Sequence, residues 1–443
     1  MENKIAIVII NYIQFVNIKP GIDELISRGH TIDIYCPKGD KENEGYSNLF
    51  EDNVKILKKM GYNVYREVDT ARKYKILLEP YPFMKIKAKY KIKYRYGTLS
   101  AKPNIVYGNP QNYIFYDAIL CGGSYDANYL SNYAKTYITG NMKYINFTKK
   151  VKNKNNKKIL LYLPTYGSCS SLDLIGEYLN NLRKNYYVIA KLHHGTTFLK
   201  KEHSRKINLE KSVDELYDLH KDLSELLSIA DVVLSDNSGA IFEAIYAEVP
   251  VAIFSNDINQ NKWGNFNTTQ YELCKKGIIP YTNNLKEIPK IIEKALSPDI
   301  YQKQITWNRK NLYHPKDQIK DFVKIIEMYL SDQIDQRYFD FHTEYKKHYF
   351  ELYEYKQQTP ALINNQEIQI QNLTIDVSHQ KEKIEVLQKK LSETKDTLNQ
   401  LEEKITQKQA EIEKLQKKLY YYETGKLYRI AKKIYNLKNG GKN

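Results

Sequence analysis

Short apolar runs of strand length, each followed by turn residues and then by helical spacing, recur through the first three-quarters of the chain. Lys4–Ile10 is the first; Gly21–Arg28 has helical spacing and Thr31–Tyr35 is apolar again, which predicts a β-α-β opening. Lys55–Met60 and Tyr62–Tyr65 repeat the pattern, with Gly61 as the helix C-cap. Tyr116–Leu120 predicts a strand, followed by a turn, a helix to about Tyr133 and a closing strand from Tyr137. The polar stretch Lys149–Lys158 reads as a linker, and the pattern restarts in a second α/β unit. Its strands are predicted at Lys158–Leu163, Tyr187–Leu192 and Val232–Leu234, with helices at Leu172–Leu182, Leu223–Ile229, Lys286–Ala295 and Ile319–Leu330.

The alternation changes near residue 360. Ile363, Ile370, Val377, Ile384, Leu391, Leu398, Ile405, Ile412 and Leu419 stand seven residues apart, the a column of a coiled coil. Leu373, Leu387, Leu401 and Leu415 form the d column, interrupted at alternate heptads by Gln366, Gln380, Thr394 and Lys408. At 1.5 Å per residue this predicts a rod of roughly 90 Å. Self-association into a homo-oligomer is the expected use, and a different partner coil is the alternative. Past it, Leu427, Ile430, Ile434 and Leu437 share one helical face with Lys426, Arg429, Lys432 and Lys433 around the other. A basic amphipathic helix of that kind suits an anionic lipid surface.

Composition narrows the choice. The net charge of +16 admits nucleic acid, anionic lipid or an anionic substrate as partner. No zinc finger, helix-turn-helix, RRM or KH signature is evident, so nucleic acid is not expected. Four widely separated cysteines without a CxxC pair predict a reducing compartment and no structural zinc. No apolar run approaches ~18 residues. The expected setting is the cytoplasm, peripheral on the inner face of the plasma membrane. Lys85–Arg95 alternates basic with apolar residues, which as a strand puts Lys85, Lys87, Lys89, Lys91, Lys93 and Arg95 on one face. Two readings are open: a solvated edge strand, or a rail for an anionic acceptor or lipid headgroups.

The chemistry concentrates in Ala230–Phe254, which reads as strand, sharp turn, helix and strand. Asp236, Asn237, Ser238 and Gly239 occupy the turn; the free N–H groups of the helix after it favour an anion, typically a phosphate. Glu243, one turn in, is placed to reach a ribose hydroxyl. His193 and His194 sit at the carboxyl end of a predicted strand, where open α/β sheets bind ligands.

The segments LLYLPTYG (Leu160–Gly167), AKLHHGT (Ala190–Thr196) and ADVVLSDNSGAIFEAIYAEVPVAIF together resemble the carboxyl domain of CDP-glycerol glycerophosphotransferases, the teichoic-acid-type polymerases and primases of GT-B fold. More loosely they are similar to UDP-N-acetylglucosamine 2-epimerases. The resemblance implies that Asp236, Asn237, Ser238 and Gly239 hold the nucleotide diphosphate, with Glu243 on the ribose and Thr165 kept from the family's Pro-Thr pair. The family's Leu-His-Pro motif is matched by Leu192 and His193, with His194 in place of the proline, and the Arg that often follows Pro-Thr is absent near Gly167. In the amino half, RYGTLSAK (Arg95–Lys102) is the counterpart of the family's Trp-His-Gly-Thr-Pro-Leu-Lys motif. It puts Tyr96 where the family has its catalytic histidine and assigns Thr98 and Lys102 to the acceptor side. Tyrosine is a poor general base at neutral pH, so His193 or another group is the base, or a related reaction is run.

Together these features predict an α/β, GT-B-like chain of two Rossmann-like domains and a long helical coiled coil. The expected divisions are 1–150 (acceptor and membrane side), 151–335 (nucleotide donor), 361–423 (coil) and 424–443 (basic tail). The implied activity is transfer of a polyol phosphate from a CDP-linked donor to a growing, anionic surface polymer, teichoic-acid-like or capsular, with no cofactor and no metal. His193 and Tyr96 are the catalytic candidates. A nucleotide-sugar glycosyltransferase of surface polysaccharide synthesis and a non-catalytic coiled-coil scaffold are the alternatives.

Overall fold

A computed structural model describes residues 4–37, 44–69, 71–81, 84–95, 111–150, 156–167, 170–198, 202–218, 220–254, 269–312, 317–352, 354, 384–423 and 426–439. Residues 1–346 form one compact unit and 347–443 a second.

The first unit contains two parallel sheets. One comprises β1 (Lys4–Val8), β2 (Thr31–Tyr35), β3 (Val64–Tyr65), β4 (Tyr74–Glu79), β5 (Ala88–Tyr94), β6 (Ala118–Cys121) and β7 (Lys135–Ile138), in the order β3-β2-β1-β4-β5-β6-β7. The other comprises β8 (Lys158–Leu163), β9 (Tyr186–Lys191), β10 (Glu215–Tyr217), β11 (Val232–Ser235), β12 (Val251–Phe254) and β13 (Tyr281–Thr282), in the order β10-β9-β8-β11-β12-β13. Both run outward from their first strand and then cross back over it, so each has a switch point, between β1 and β4 and between β8 and β11. Outside the carboxyl ends at such a point lies the crevice where α/β sheets bind ligands. The central strands are apolar on both faces because helices cover both: Ile5–Val8 and Ile159–Leu163 are fully buried or nearly so.

β4 was not among the predicted strands, although it pairs directly with β1 through Ile5↔Ile76 and Ile7↔Leu78. The predicted helix Leu172–Leu182 is two short helices, Leu172–Ile175 and Leu179–Leu182, broken around Gly176. Leu223–Ile229 is helical as expected, capped by Asp222, whose carboxylate accepts from the Ser224 N–H.

The edge-strand reading of Lys85–Arg95 does not survive. β5 is an interior strand between β4 and β6, not an edge; Lys85, Lys87 and Lys89 are exposed, while Lys91, Lys93 and Arg95 are drawn inward. Lys93 is 3% exposed, opposite Glu79 in register. Its ammonium bonds the Pro80 carbonyl and lies 4.5 Å from the Tyr81 ring and 5.0 Å from that of Tyr116. Arg95 is 3.4 Å from the buried Asp126 carboxylate, and Lys91 stands 4.0 Å over the Phe115 ring. Acids and tyrosines contributed by distant segments make burial of this basic face tolerable.

The helix Gln318–Leu330, expected to finish the second domain, instead buries Phe322, Val323, Ile326, Tyr329 and Leu330 in the core of the first sheet. Gly21 makes this possible, since a Cβ there would lie 2.3 Å from the Phe322 ring. Just beyond, Asp332 adopts φ +56° and accepts bonds from Lys75, Lys89 (2.7 Å) and Tyr90 (2.6 Å), pinning the returning chain to β4 and β5. The two sheets' layers also meet directly. Tyr125 bonds Thr269 at 3.0 Å and packs on Trp307.

The second unit contains the helices Ile384–Glu423 and Lys426–Asn439. Leu398, Leu401, Ile405, Ile412 and Leu415 are exposed on the first, Ile430, Ile434 and Tyr435 on the second. Residues 361–383 of the expected coil lie outside the described residues.

Candidate functional site

The crevice at the second switch point is walled by the described parts of the loop after β8 (164–167 and 170–171) and the turn after β11 (236–239). Asp236 joins them. One carboxylate oxygen accepts from the Thr165 N–H at 2.9 Å; the other accepts from the Ser171 N–H and hydroxyl at 2.8 and 2.9 Å. Ser235 adds a bond from its hydroxyl to the Leu163 carbonyl at 2.5 Å. Asp236 is 1% exposed; burial raises its pKa to about 6, against the hydrogen bonds that favour the carboxylate, and it is ionised at neutral pH. Both carboxylate oxygens of Asp236 are thus occupied by the protein's own donors, and the side chain ties the two loops together.

Ser238 is likewise inward, 3% exposed, with its hydroxyl accepting from the Ala240 N–H at 3.3 Å to start the helix Ala240–Tyr246. Asn237 is half-buried, its carbonyl accepting from Gln270 at 3.2 Å. Gly239 is the outward member of the turn. It is exposed, and a Cβ there would meet nothing within 4 Å.

Glu243 is engaged rather than free: it accepts from Tyr144 at 2.6 Å and Lys143 at 3.1 Å. Lys143 also reaches Asp222 at 3.2 Å. Lys143 and Tyr144 come from the segment leaving the first sheet, so this cluster ties the two halves together at the crevice. Asp222 in turn raises the pKa of Tyr12, after burial, which puts the short helix Tyr12–Phe15 that follows β1 near it.

His193, half-buried at the end of β9, is the most constrained candidate. Its Nδ1 accepts from the Gly195 N–H at 3.0 Å. Its ring stacks on Tyr166 at 4.6 Å and 16°, with the His194 ring 3.9 Å away on centroids. Burial, His194 and Lys191 hold its pKa well below the ordinary value, and His194 is lowered to about 4 by burial and Lys191. A neutral imidazole whose Nδ1 is an acceptor carries its proton on Nε2. His193 is therefore a hydrogen-bond donor at Nε2, not a base there. Lys191, whose pKa burial and Lys143 lower to about 8, bonds the Asp218 carbonyl at 2.8 Å on the same strand end. β9 and β11 flank β8, so His193 and the Gly239 turn are separated by roughly two strand spacings, about 10 Å.

Residues 133–317 match the family model described as CDP-Glycerol:Poly(glycerophosphate) glycerophosphotransferase. The match covers less than half of the chain. The matched segment contains all of the second sheet, the crevice and His193. Among solved structures, the chain is similar to the wall teichoic acid polymerase TagF (14% identity, 75% of this chain and 90% of that one, TM-score 0.48). It is also similar to a candidate UDP-N-acetylglucosamine 2-epimerase from Listeria monocytogenes (11%, 76% and 98%, TM-score 0.50). A third is the UDP-GlcNAc 2-epimerase from Neisseria meningitidis (14%, 74% and 100%, TM-score 0.46). At such identities the likeness speaks to the fold, two Rossmann-like domains of GT-B type. No curated protein matches the chain.

Three of the predicted site residues, Tyr96, Thr98 and Lys102, lie outside the described residues. Among the described ones, Thr165 contributes its backbone to the Asp236 clasp. Sequence reasoning missed Tyr166, the platform under His193, and Arg205. Arg205 bonds the Gly167 carbonyl at 2.9 Å and Glu202 at 2.7 Å, and Glu202 accepts from the Gly167 N–H at 3.3 Å. An aromatic residue beside Pro-Thr was a visible signal; an arginine forty residues on was not. No group of three or more His, Cys, Asp or Glu side chains suited to a metal occurs among the described residues.

Proposed function

We propose that this chain transfers a polyol phosphate, glycerol phosphate or similar, from a CDP-linked donor to a growing cell-surface polymer. The observation that carries the reading is His193: a neutral imidazole with its proton on Nε2, beside Lys191, in the segment that matches the glycerophosphotransferase family. In this reading the diphosphate lies between the exposed Gly239 turn and the His193–Lys191 strand end. An acceptor hydroxyl attacks the phosphorus bearing the polyol, the bond to the bridging oxygen breaks, and CMP leaves. His193 Nε2–H and the Lys191 ammonium stabilise the charge that grows on the departing phosphate. The acceptor's proton passes to solvent or to the departing CMP phosphate, while Tyr96, Thr98 and Lys102 are assigned to position the acceptor on the first domain's side. The exposed Ile430, Ile434 and Tyr435, interspersed with Arg429, Lys432 and Lys433, favour attachment of the enzyme to the inner face of the membrane. Among the described residues no helix is long and apolar enough to cross one.

The test uses Gly239→Val, which adds bulk only to open space. The variant should keep the wild-type melting temperature without ligand. CDP-glycerol should raise the melting temperature of the wild type and not of the variant, and CMP should appear only with the wild type and an acceptor polymer. Stabilisation by UDP-sugars alone would replace this reading with a nucleotide-sugar transferase. No response to any nucleotide would leave a scaffold.

A further inference from the structure

We infer that the helix Ile384–Glu423 pairs with the same helix of a second copy, parallel and in register. Its 40 residues, about 60 Å, hold more than the three to four heptads a coiled coil needs. Leu398, Ile405 and Ile412 (a) and Leu401 and Leu415 (d) form one stripe, and each is 42–61% exposed. Where this stripe is apolar, every d residue in the helix before Tyr422 is Leu, while Ile takes half of the a positions (Ile384, Ile405, Ile412). β-Branched a with Leu d is the combination that favours two parallel strands.

The polar members of the stripe select the register. Thr394 and Lys408 occupy d positions fourteen residues apart. In register and parallel, each faces its own counterpart, so the two polar side chains spoil two core layers and leave the rest apolar. Sliding by one heptad sets Lys408 against Leu401 or Leu415. Antiparallel pairing of the full helix sets Lys408 against Leu398 and Thr394 against Ile412, twice each, spoiling four layers. The arrangement that wastes least apolar surface is the symmetric one. A second copy also explains why a stripe this regular carries lysine at all: the polar layer costs stability and fixes alignment.

The experiment uses the full chain with Lys408→Cys, an exposed position whose loss removes only an interrupting charge. Light scattering should give a dimer or a multiple of it for wild type and variant. Mild oxidation should convert the variant, and not the wild type, mainly to a covalent dimer that reductant reverses. A monomeric mass would overturn the pairing. A dimer in which Lys408→Cys chains fail to cross-link would overturn the parallel register; so would a mixture of Leu398→Cys and Lys408→Cys chains in which the mixed cross-link dominates.

Discussion

Gly195→Ala probes the His193 platform through one methyl group. A Cβ at position 195 would stand 2.6 Å from Cδ2 and Cγ of Tyr166, about 1 Å inside normal contact. Tyr166 is 39% exposed and has somewhere to go, so the ring leaves its 4.6 Å stack on His193 rather than forcing the helix His194–Phe198 apart. Overpacking of this kind costs roughly 1–3 kcal/mol, and the lower half of that range applies to a ring that swings outward. Against it, alanine is a better helix former than glycine by up to ~1 kcal/mol. The net expectation is a loss of about 0.5–1 kcal/mol in the wild-type background. In Tyr166→Ala the clash is gone, and the same substitution should stabilise by ~0.5 kcal/mol. Urea denaturation of the four proteins gives the coupling, expected at about 1–1.5 kcal/mol, and CMP release should fall in both single variants. Equal effects of Gly195→Ala in the two backgrounds would show that the glycine is not there for Tyr166.

Asp236→Ala strands two buried N–H groups and a hydroxyl and should cost ~3–5 kcal/mol in chemical denaturation, while Asp236→Asn, which keeps one acceptor, should cost about half as much; equal losses would refute the clasp. His193 and His194 stay neutral in the folded chain but gain protons once unfolded below their ordinary value of about 6.5. Stability should therefore fall as the pH drops from about 6.5 toward 4, by up to ~3 kcal/mol for His194, and His194→Gln should flatten the melting-temperature profile in that window. Lys93→Met removes a buried partner of Glu79, whose pKa burial raises to about 8 against the pull of Lys91 and Lys93. With Glu79 at about 8 and Lys93 lowered by burial to about 7, only part of this pair is charged at neutral pH, so the variant should cost ~1 kcal/mol, and adding Glu79→Gln should recover most of it. If the double variant is no more stable than Lys93→Met alone, the two groups are not coupled.

The parallel α/β class was legible because buried parallel strands are unbroken apolar runs, as in Ile5–Val8 and Val232–Leu234. β4 escaped because its core, Ile76–Leu78, is three residues between Lys75 and Glu79, and only the partners supplied by β1 and β5 make it central. Alternation on β5 correctly put Lys89, Lys91 and Lys93 on one face and misjudged what that face meets. The acids that receive it, Glu79, Asp117 and Asp126, lie elsewhere in the sequence, and nothing local announces them. At the crevice the turn itself was readable, but which of its residues are buried was not. Caps and ligands use the same side chains, and only burial separates Asp236 and Ser238 from the exposed Gly239. Glu243's partners arrive from the other domain, across a hundred residues of chain.

The return of Gln318–Leu330 to the first sheet has a temporal consequence. Strands β1–β7 are complete once Ile138 is made, yet Phe322 and Ile326 of their core are translated roughly 190 residues later, ~10–40 s at 5–20 residues per second. During synthesis the amino-terminal half must wait with an open apolar face while the second half forms. The last helix then closes both at once, so a nascent chain stalled before Gln318 should be captured by chaperones and one stalled well after Asp332 should not.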